Sequence, residues 1–218
     1  MIFAEATREG VGVSLFGDSR DFRSLHETVH ALLGQSHMTE DQQNTILNFA
    51  YELRHGYQGD REVLDLGIDE HEMGKYLSIK LTWPEILFDV GYLRQIAGYG
   101  GSDKEHQSNI YRLEYSIESA LIKYDTKVGH EAISEYRRLR WFSSDYLTSY
   151  LSECCFQYIY GGGKGKMRFR RLPSLLRSFD ELSDQYREYH EFMWAEANKF
   201  KTHPINLHDT REWVDFVW

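Results

Sequence analysis

Residues 75–83 alternate in hydropathy. Leu77, Ile79, Leu81 and Trp83 point one way, and Tyr76, Ser78, Lys80 and Thr82 the other. That is the period of a strand with one buried face. Pro84 closes the pattern, because it cannot donate to a strand ladder and its fixed φ suits the first position of a helix. Beyond it the apolar period lengthens to that of a helix, through Ile86, Leu87, Val90, Leu93 and Ile96. A chain that changes period at one point is constrained to end a strand there and begin a helix.

The N-terminal side supplies the rest of a sheet. Residues 2–6 and 11–16 are short apolar segments around Arg8-Glu9-Gly10, the signature of a β-hairpin. Gly17-Asp18-Ser19 offers a turn and a helix cap. Phe22, Leu25, Val29, Leu32 and Leu33 then form an amphipathic stripe that Gly34 is placed to stop. A second helix is expected from Thr39, with Gln42 completing a capping box and Ile46, Phe49, Ala50 and Leu53 facing inward. Gly56 to Gly59 reads as a turn, and residues 61–66 as a strand.

After Gly98–Gly101, read as a loop, three helical stripes follow: Ile110 to Tyr124, Ile133 to Leu139, and Leu147 to Tyr158. A longer one runs through Leu175, Phe179, Leu182, Tyr186, Met193, Ala197 and Phe200 after a break at Gly161–Lys166. The expected class is α+β: one domain over 1–218, with a small, mostly antiparallel sheet in 1–83 packed on a larger helical bundle in 84–203, and a tail in 204–218.

Composition narrows the function classes. The 218 residues include 12 Phe, 15 Tyr and 5 Trp, enough to bury a core and to exclude a disordered chain. With 25 Lys and Arg against 34 Asp and Glu the net charge is −9, which disfavours nucleic acid and anionic membranes as partners and suits a basic protein. Cys154 and Cys155 are adjacent, so no disulfide framework exists and both read as core thiols. No signal-like opening and no run of apolar residues long enough to span a bilayer occur, so a reducing cytoplasm is the expected compartment.

One motif carries a chemical reading. His26-Glu27-Thr28-Val29-His30 matches H-E-x-x-H, which places two imidazoles on one helical face to ligate zinc and a Glu to polarise its water. Against it, His26 falls within the apolar arc of its helix, Arg23 and Ser24 precede the motif, and no second motif supplies a third ligand. Gly161-Gly162-Gly163-Lys164-Gly165-Lys166 fails the spacing of a phosphate loop. With Arg168, Arg170 and Arg171 it makes a basic loop that could touch RNA or simply be solvated.

Two further segments suit a partner surface. Asp60, Glu62, Asp65, Asp69, Glu70 and Glu72 form an acidic run, either a solvated strand and turn or a patch that steers a basic partner. Trp213, Phe216 and Trp218 make the tail aromatic, either folded back on the core as an edge segment or presented as an anchor.

Gly10-Val11-Gly12-Val13, Gly17-Asp18, the stretch from Ala50 to Glu62, and Leu81 to Phe88 resemble, in order, a family of uncharacterised bacterial proteins, a domain of unknown function. The resemblance implies no catalytic residue. It also implies that His at position 26 is not a family feature, which makes the H-E-x-x-H match a local accident. The overall profile is similar to immunity proteins of bacterial contact-dependent growth inhibition systems. The expectation is therefore a non-enzymatic inhibitor, without cofactor, that binds a basic toxin such as a nuclease domain through the acidic run and the aromatic tail. The alternative is a zinc-dependent hydrolase using His26, Glu27 and His30.

Overall fold

The computed structural model describes residues 1–36, 38, 40–64, 76–100, 102–139, 147–207 and 213–218, with 40 and 41 by backbone only. The hairpin is present: β1 (Phe3–Ala6) pairs antiparallel with β2 (Gly12–Gly17), Phe3 opposite Phe16 and Ala6 opposite Val13. Gly10 turns the chain at φ 67°. A Cβ there would also meet the Gly165 carbonyl oxygen at 2.5 Å, so only glycine fits.

Two helices follow. α1 (Ser19–Leu33) starts at Asp18, which exchanges capping-box hydrogen bonds with Asp21, and Gly34 ends it. Its buried residues include Phe22, Leu25, Val29, Leu32 and Leu33. α2 (Glu40–Gln58) packs along α1. The expected cap, Thr39, lies outside the described residues. The helix runs two residues past Gly56, where a turn was expected. A Cβ at Gly56 would lie 2.8 Å from Ile79 Cγ2 and 2.9 Å from Phe22 Cδ2. This glycine therefore brings α2 close to the sheet and does not break the helix.

β3 (Glu62–Leu64) and β4 (Tyr76–Thr82) complete a four-stranded antiparallel sheet in the order β1-β2-β4-β3. Residues 65 and 66, expected to extend β3, lie outside the described residues. Leu77, Ile79 and Leu81 are buried as their alternation requires. Ser78 and Thr82 on the opposite face are buried as well, leaving Lys80 exposed between them, so the strand is covered on both faces over most of its length.

The period change falls one residue earlier than the alternation suggests. Thr82 is the N-cap of α3 (Trp83–Tyr99): its hydroxyl accepts from Glu85 N, and the Glu85 carboxylate accepts from Thr82 N. Trp83, read as the last inward residue of the strand, is the first residue of this helix and fully buried. Gly98 is still helical. α4 (Lys104–Tyr124), α5 (Thr126–Arg138) and α6 (Leu147–Tyr160) bury the three stripes read from the sequence.

The last stripe is not one helix. After a short α7 (Lys166–Phe169), it divides between α8 (Leu172–Ser178) and α9 (Asp184–Phe200), followed by a 3₁₀ turn at Pro204–Asn206. The break between α8 and α9 has a local cause. Asp180 accepts from Leu182 N, and the Ser183 hydroxyl accepts from Tyr186 N as a new N-cap. Leu182 and Phe200, both placed in the stripe, are exposed. One contiguous apolar cluster reaches from Val13 to Met193. The architecture is α+β, an N-terminal antiparallel sheet packed against helices. Among the described residues no helix is long and apolar enough to cross a membrane.

Candidate functional site

The junction of β4 and α3 forms one wall of a cleft of about 530 Å³. From that junction come Lys80, Leu81, Thr82, Glu85 and Asp89. α2 adds Thr45, Asn48, Phe49, Tyr51 and Glu52, and α6 adds Thr148, Leu151, Ser152 and Cys155. Trp213, Phe216 and Trp218 of the tail complete the lining. The volume suits a small molecule or one or two side chains of a partner.

Capping explains half of the chemistry. Glu85 is held by its role at the start of α3, its Oε2 accepting from the Thr82 hydroxyl at 2.6 Å and Thr82 N at 3.3 Å. One turn on, Asp89 shares its helical face. Asp89 is 4% exposed, and its Oδ1 has no hydrogen-bond partner. Burial pushes the Asp89 carboxyl well above the usual range, and the neighbouring Glu85 pushes it further. Burial also raises Glu85, against the pull of its bonds from Thr82, with Glu52 adding to the rise.

The other charges in the cleft are matched. Glu52 forms a two-pronged pair with Arg61 at 2.8 and 2.7 Å. Lys80 meets Glu62 of β3 at 3.2 Å. Thr45 and Thr148 hydroxyls bond across the cleft at 2.7 Å. Cys155 Sγ lies 3.8 Å from the Thr82 hydroxyl, and burial pushes its thiol well up; Cys154 beside it is pushed up to about 12. Both thiols are free, buried and protonated at neutral pH, so neither is a nucleophile.

A family model matches residues 2–218, nearly the whole chain. The chain belongs to the family described as a domain of unknown function, DUF6904. No curated protein and no solved structure matches it. The similarity to immunity proteins thus finds no counterpart in these comparisons, while the resemblance to an uncharacterised family does.

In this DUF6904 protein the residues marked in the sequence fall in different places. Asp60 accepts from or pairs with His55 Nδ1 at 2.8 Å, and Glu62 pairs with Lys80, so both have cationic or hydrogen-bonding neighbours at the surface. Asp65, Asp69, Glu70 and Glu72 lie outside the described residues. Residues 213–218 of the tail fold back as sequence reading allowed, but as irregular chain and not as a strand. Trp213 sits edge-on to Phe156 and Tyr160, Phe216 packs near Tyr160 and Trp218, and the Tyr160 hydroxyl donates to the Val214 carbonyl.

His26 and His30 do meet. Their Nε2 atoms are 3.2 Å apart on an exposed face of α1, with Tyr57 edge-on to His26. Burial, His30 and Arg54 lower the His26 pKa, with Glu27 opposing. Among the described residues no group of three or more His, Cys, Asp or Glu is placed to hold a metal ion. The glycine-rich loop has a structural explanation. Arg168 is buried and donates to the carbonyls of Glu9 and Ile159. Arg171 donates to those of Gln157 and Gly162. Two of the basic residues read as an RNA contact are thus spent on backbone carbonyls.

Glu85 and Asp89 are what sequence reading missed. The signal was available: Asp89 is the only charged residue in Ile86-Leu87-Phe88-Asp89-Val90-Gly91-Tyr92-Leu93, on a helix buried nearly all round.

Proposed function

We propose that this protein is an inhibitor of immunity type, which neutralises a basic toxin by binding it and performs no chemistry on it. A nuclease domain is the class of toxin that fits, because its phosphate-binding surface is cationic. The observation that carries the reading is the cleft itself: two carboxyl groups without a cationic partner among the described residues, lined by the aromatic tail, in a chain of net charge −9. Acid in a recess attracts a cation, and rings at its mouth supply both apolar area and a face for that cation. Opposite net charges speed encounter and reject acidic competitors.

The test is the affinity of the full chain for the toxin domain encoded beside its gene. Nanomolar binding that abolishes toxin activity at one-to-one stoichiometry is expected. Affinity no better than micromolar contradicts the proposal.

A second reading rests on a separate distance. Two nitrogens bound to one tetrahedral zinc lie about 3.3 Å apart, since each bond is roughly 2.0–2.1 Å. The His26–His30 separation is close to that. A hydrolase would need a third ligand. Stoichiometric zinc in the purified protein, lost in His26→Ala, would favour this reading over the first.

A further inference from the structure

We propose that the cleft between α2, α3 and α6 is a binding site for a single guanidinium group, held by Asp89 and Glu85 and covered by the tail. The inference rests on the inhibitor reading for where the group comes from, a partner's arginine, and names which part of the partner enters.

Three observations converge on this ligand. The first is the charge balance. Arg61 answers Glu52, and Glu62 answers Lys80, which leaves the two acids of α3 without a cation among the described residues. The second is independent of the cluster: Asp89 Oδ1 is buried and accepts nothing. A buried carboxylate oxygen without a donor is costly unless a ligand supplies one. The third is the lining. Phe216, Trp213 and Trp218 offer no ligand to a metal ion, which takes six or more oxygen donors when hard. Rings do stack on a planar guanidinium.

Guanidinium fits better than ammonium on two counts. It is more weakly hydrated, so less is lost on entering a recess. Its planar fork of donors can serve Asp89 and Glu85, one helical turn apart, together. The larger cavity, about 760 Å³ beside Arg94, Glu114 and Tyr136, does not compete: Arg94 pairs with Glu114 at 3.6 Å and Tyr136 donates to Glu114, so its charges are already met.

Binding changes protonation. Asp89 enters the complex as a carboxylate, so the free protein's carboxylic acid gives one proton to solvent as the cation seats. The titratable and charged groups facing it are Glu85 on its own helix, Tyr51 and Glu52 on α2, Lys80 on β4 and Cys155 on α6. Apparent affinity therefore rises about tenfold per pH unit while Asp89 remains mostly protonated in the free protein.

The experiment titrates the full chain with Nα-acetyl-arginine methylamide and follows the tryptophan fluorescence and the heat. The neutral citrulline counterpart is the control. Saturable binding of the arginine compound, at least tenfold tighter than citrulline, is expected, with proton release visible as a heat that depends on buffer ionisation enthalpy. Asp89→Asn is expected to weaken it at least tenfold and to abolish the proton release, while its thermal melt shows an intact fold. Equal binding of citrulline, binding unchanged in Asp89→Asn, or no saturation by the arginine compound would each overturn the proposal. Agmatine and a blocked Gly-Gly-Arg-Gly-Gly peptide separate the sources. A site for a partner's side chain takes both, whereas a site for a free metabolite rejects the peptide. Toxin binding that survives in Asp89→Asn overturns this inference alone; guanidinium binding without toxin binding overturns the inhibitor reading alone.

Discussion

Asp89 is buried in a helix whose neighbouring residues are apolar, and its raised pKa has a consequence for stability. In the unfolded chain this carboxyl ionises near 3.8. The folded chain keeps a proton that the unfolded chain releases, so the unfolded state binds fewer protons above that pH. Stability is then full below about pH 3.8 and falls as pH climbs towards the raised value. Asp89→Asn removes the ionisation. Thermal melts are expected to show it more stable than the parent at pH 7, with the gap narrowing as pH falls towards about 4. His26 has the opposite sign. Its lowered pKa means that the folded chain holds fewer protons than the unfolded one near pH 6.5, so its contribution is present above that pH and is lost as pH falls. Proton NMR should find its titration midpoint below 6.5. A midpoint above that value would contradict the burial of His26 and the repulsion from His30 and Arg54.

At the scale of elements, one joint shapes the cleft and a second ties distant turns together. The first is the β4–α3 junction, where Thr82 ends a strand and caps a helix while its hydroxyl holds Glu85. Thr82→Ala is expected to cost about 1 kcal/mol in chemical denaturation, the usual loss for a cap. It should also raise the Glu85 pKa further, because a bond that favours the carboxylate is gone. The second joint ties the β1–β2 turn to the glycine-rich loop. Tyr158 donates to the Gly10 carbonyl, Arg168 to that of Glu9, and Gly165 N to Glu9 as well. Tyr158→Phe strands one buried carbonyl and should cost about 1–3 kcal/mol; Arg168→Met removes the bonds to Ile159 and Glu9, of which Glu9 keeps its bond from Gly165 N, and should cost a similar amount, both read from urea midpoints. Such a joint was illegible in the sequence. A buried Arg looks like any other basic residue until the carbonyls it meets, from distant segments, are known. The alternating strand, the Pro84 boundary, the hairpin and the stripes of α1 and α4 were legible because their periods are local. The division of the last stripe between α8 and α9 was not, since Asp180 and Ser183 override a hydrophobic spacing that runs unbroken through them.

The molecule as a whole places its most unusual polar atoms where elements far apart in sequence meet. The cleft draws on α2, the β4–α3 junction, α6 and the C-terminal tail. The sequence named only the tail among these, because aromatic residues at a terminus stand out while an acid inside a buried helix shows its meaning only once its surroundings close around it. The acidic run chosen from sequence begins with residues whose charges are engaged, Asp60 by His55 and Glu62 by Lys80. On the inhibitor reading proposed above, net charge governs approach and the cleft governs what is held. The most direct measurement of the proposed inhibition is the association and dissociation of a basic nuclease toxin domain, sought among the products of the flanking genes, followed by stopped flow in the parent protein and in Asp89→Asn at about 50 and about 500 mM salt. The account predicts an association rate that falls at least tenfold with added salt in both proteins, and dissociation at least tenfold faster in the variant alone. An association rate indifferent to salt, with dissociation unchanged by the substitution, would contradict it.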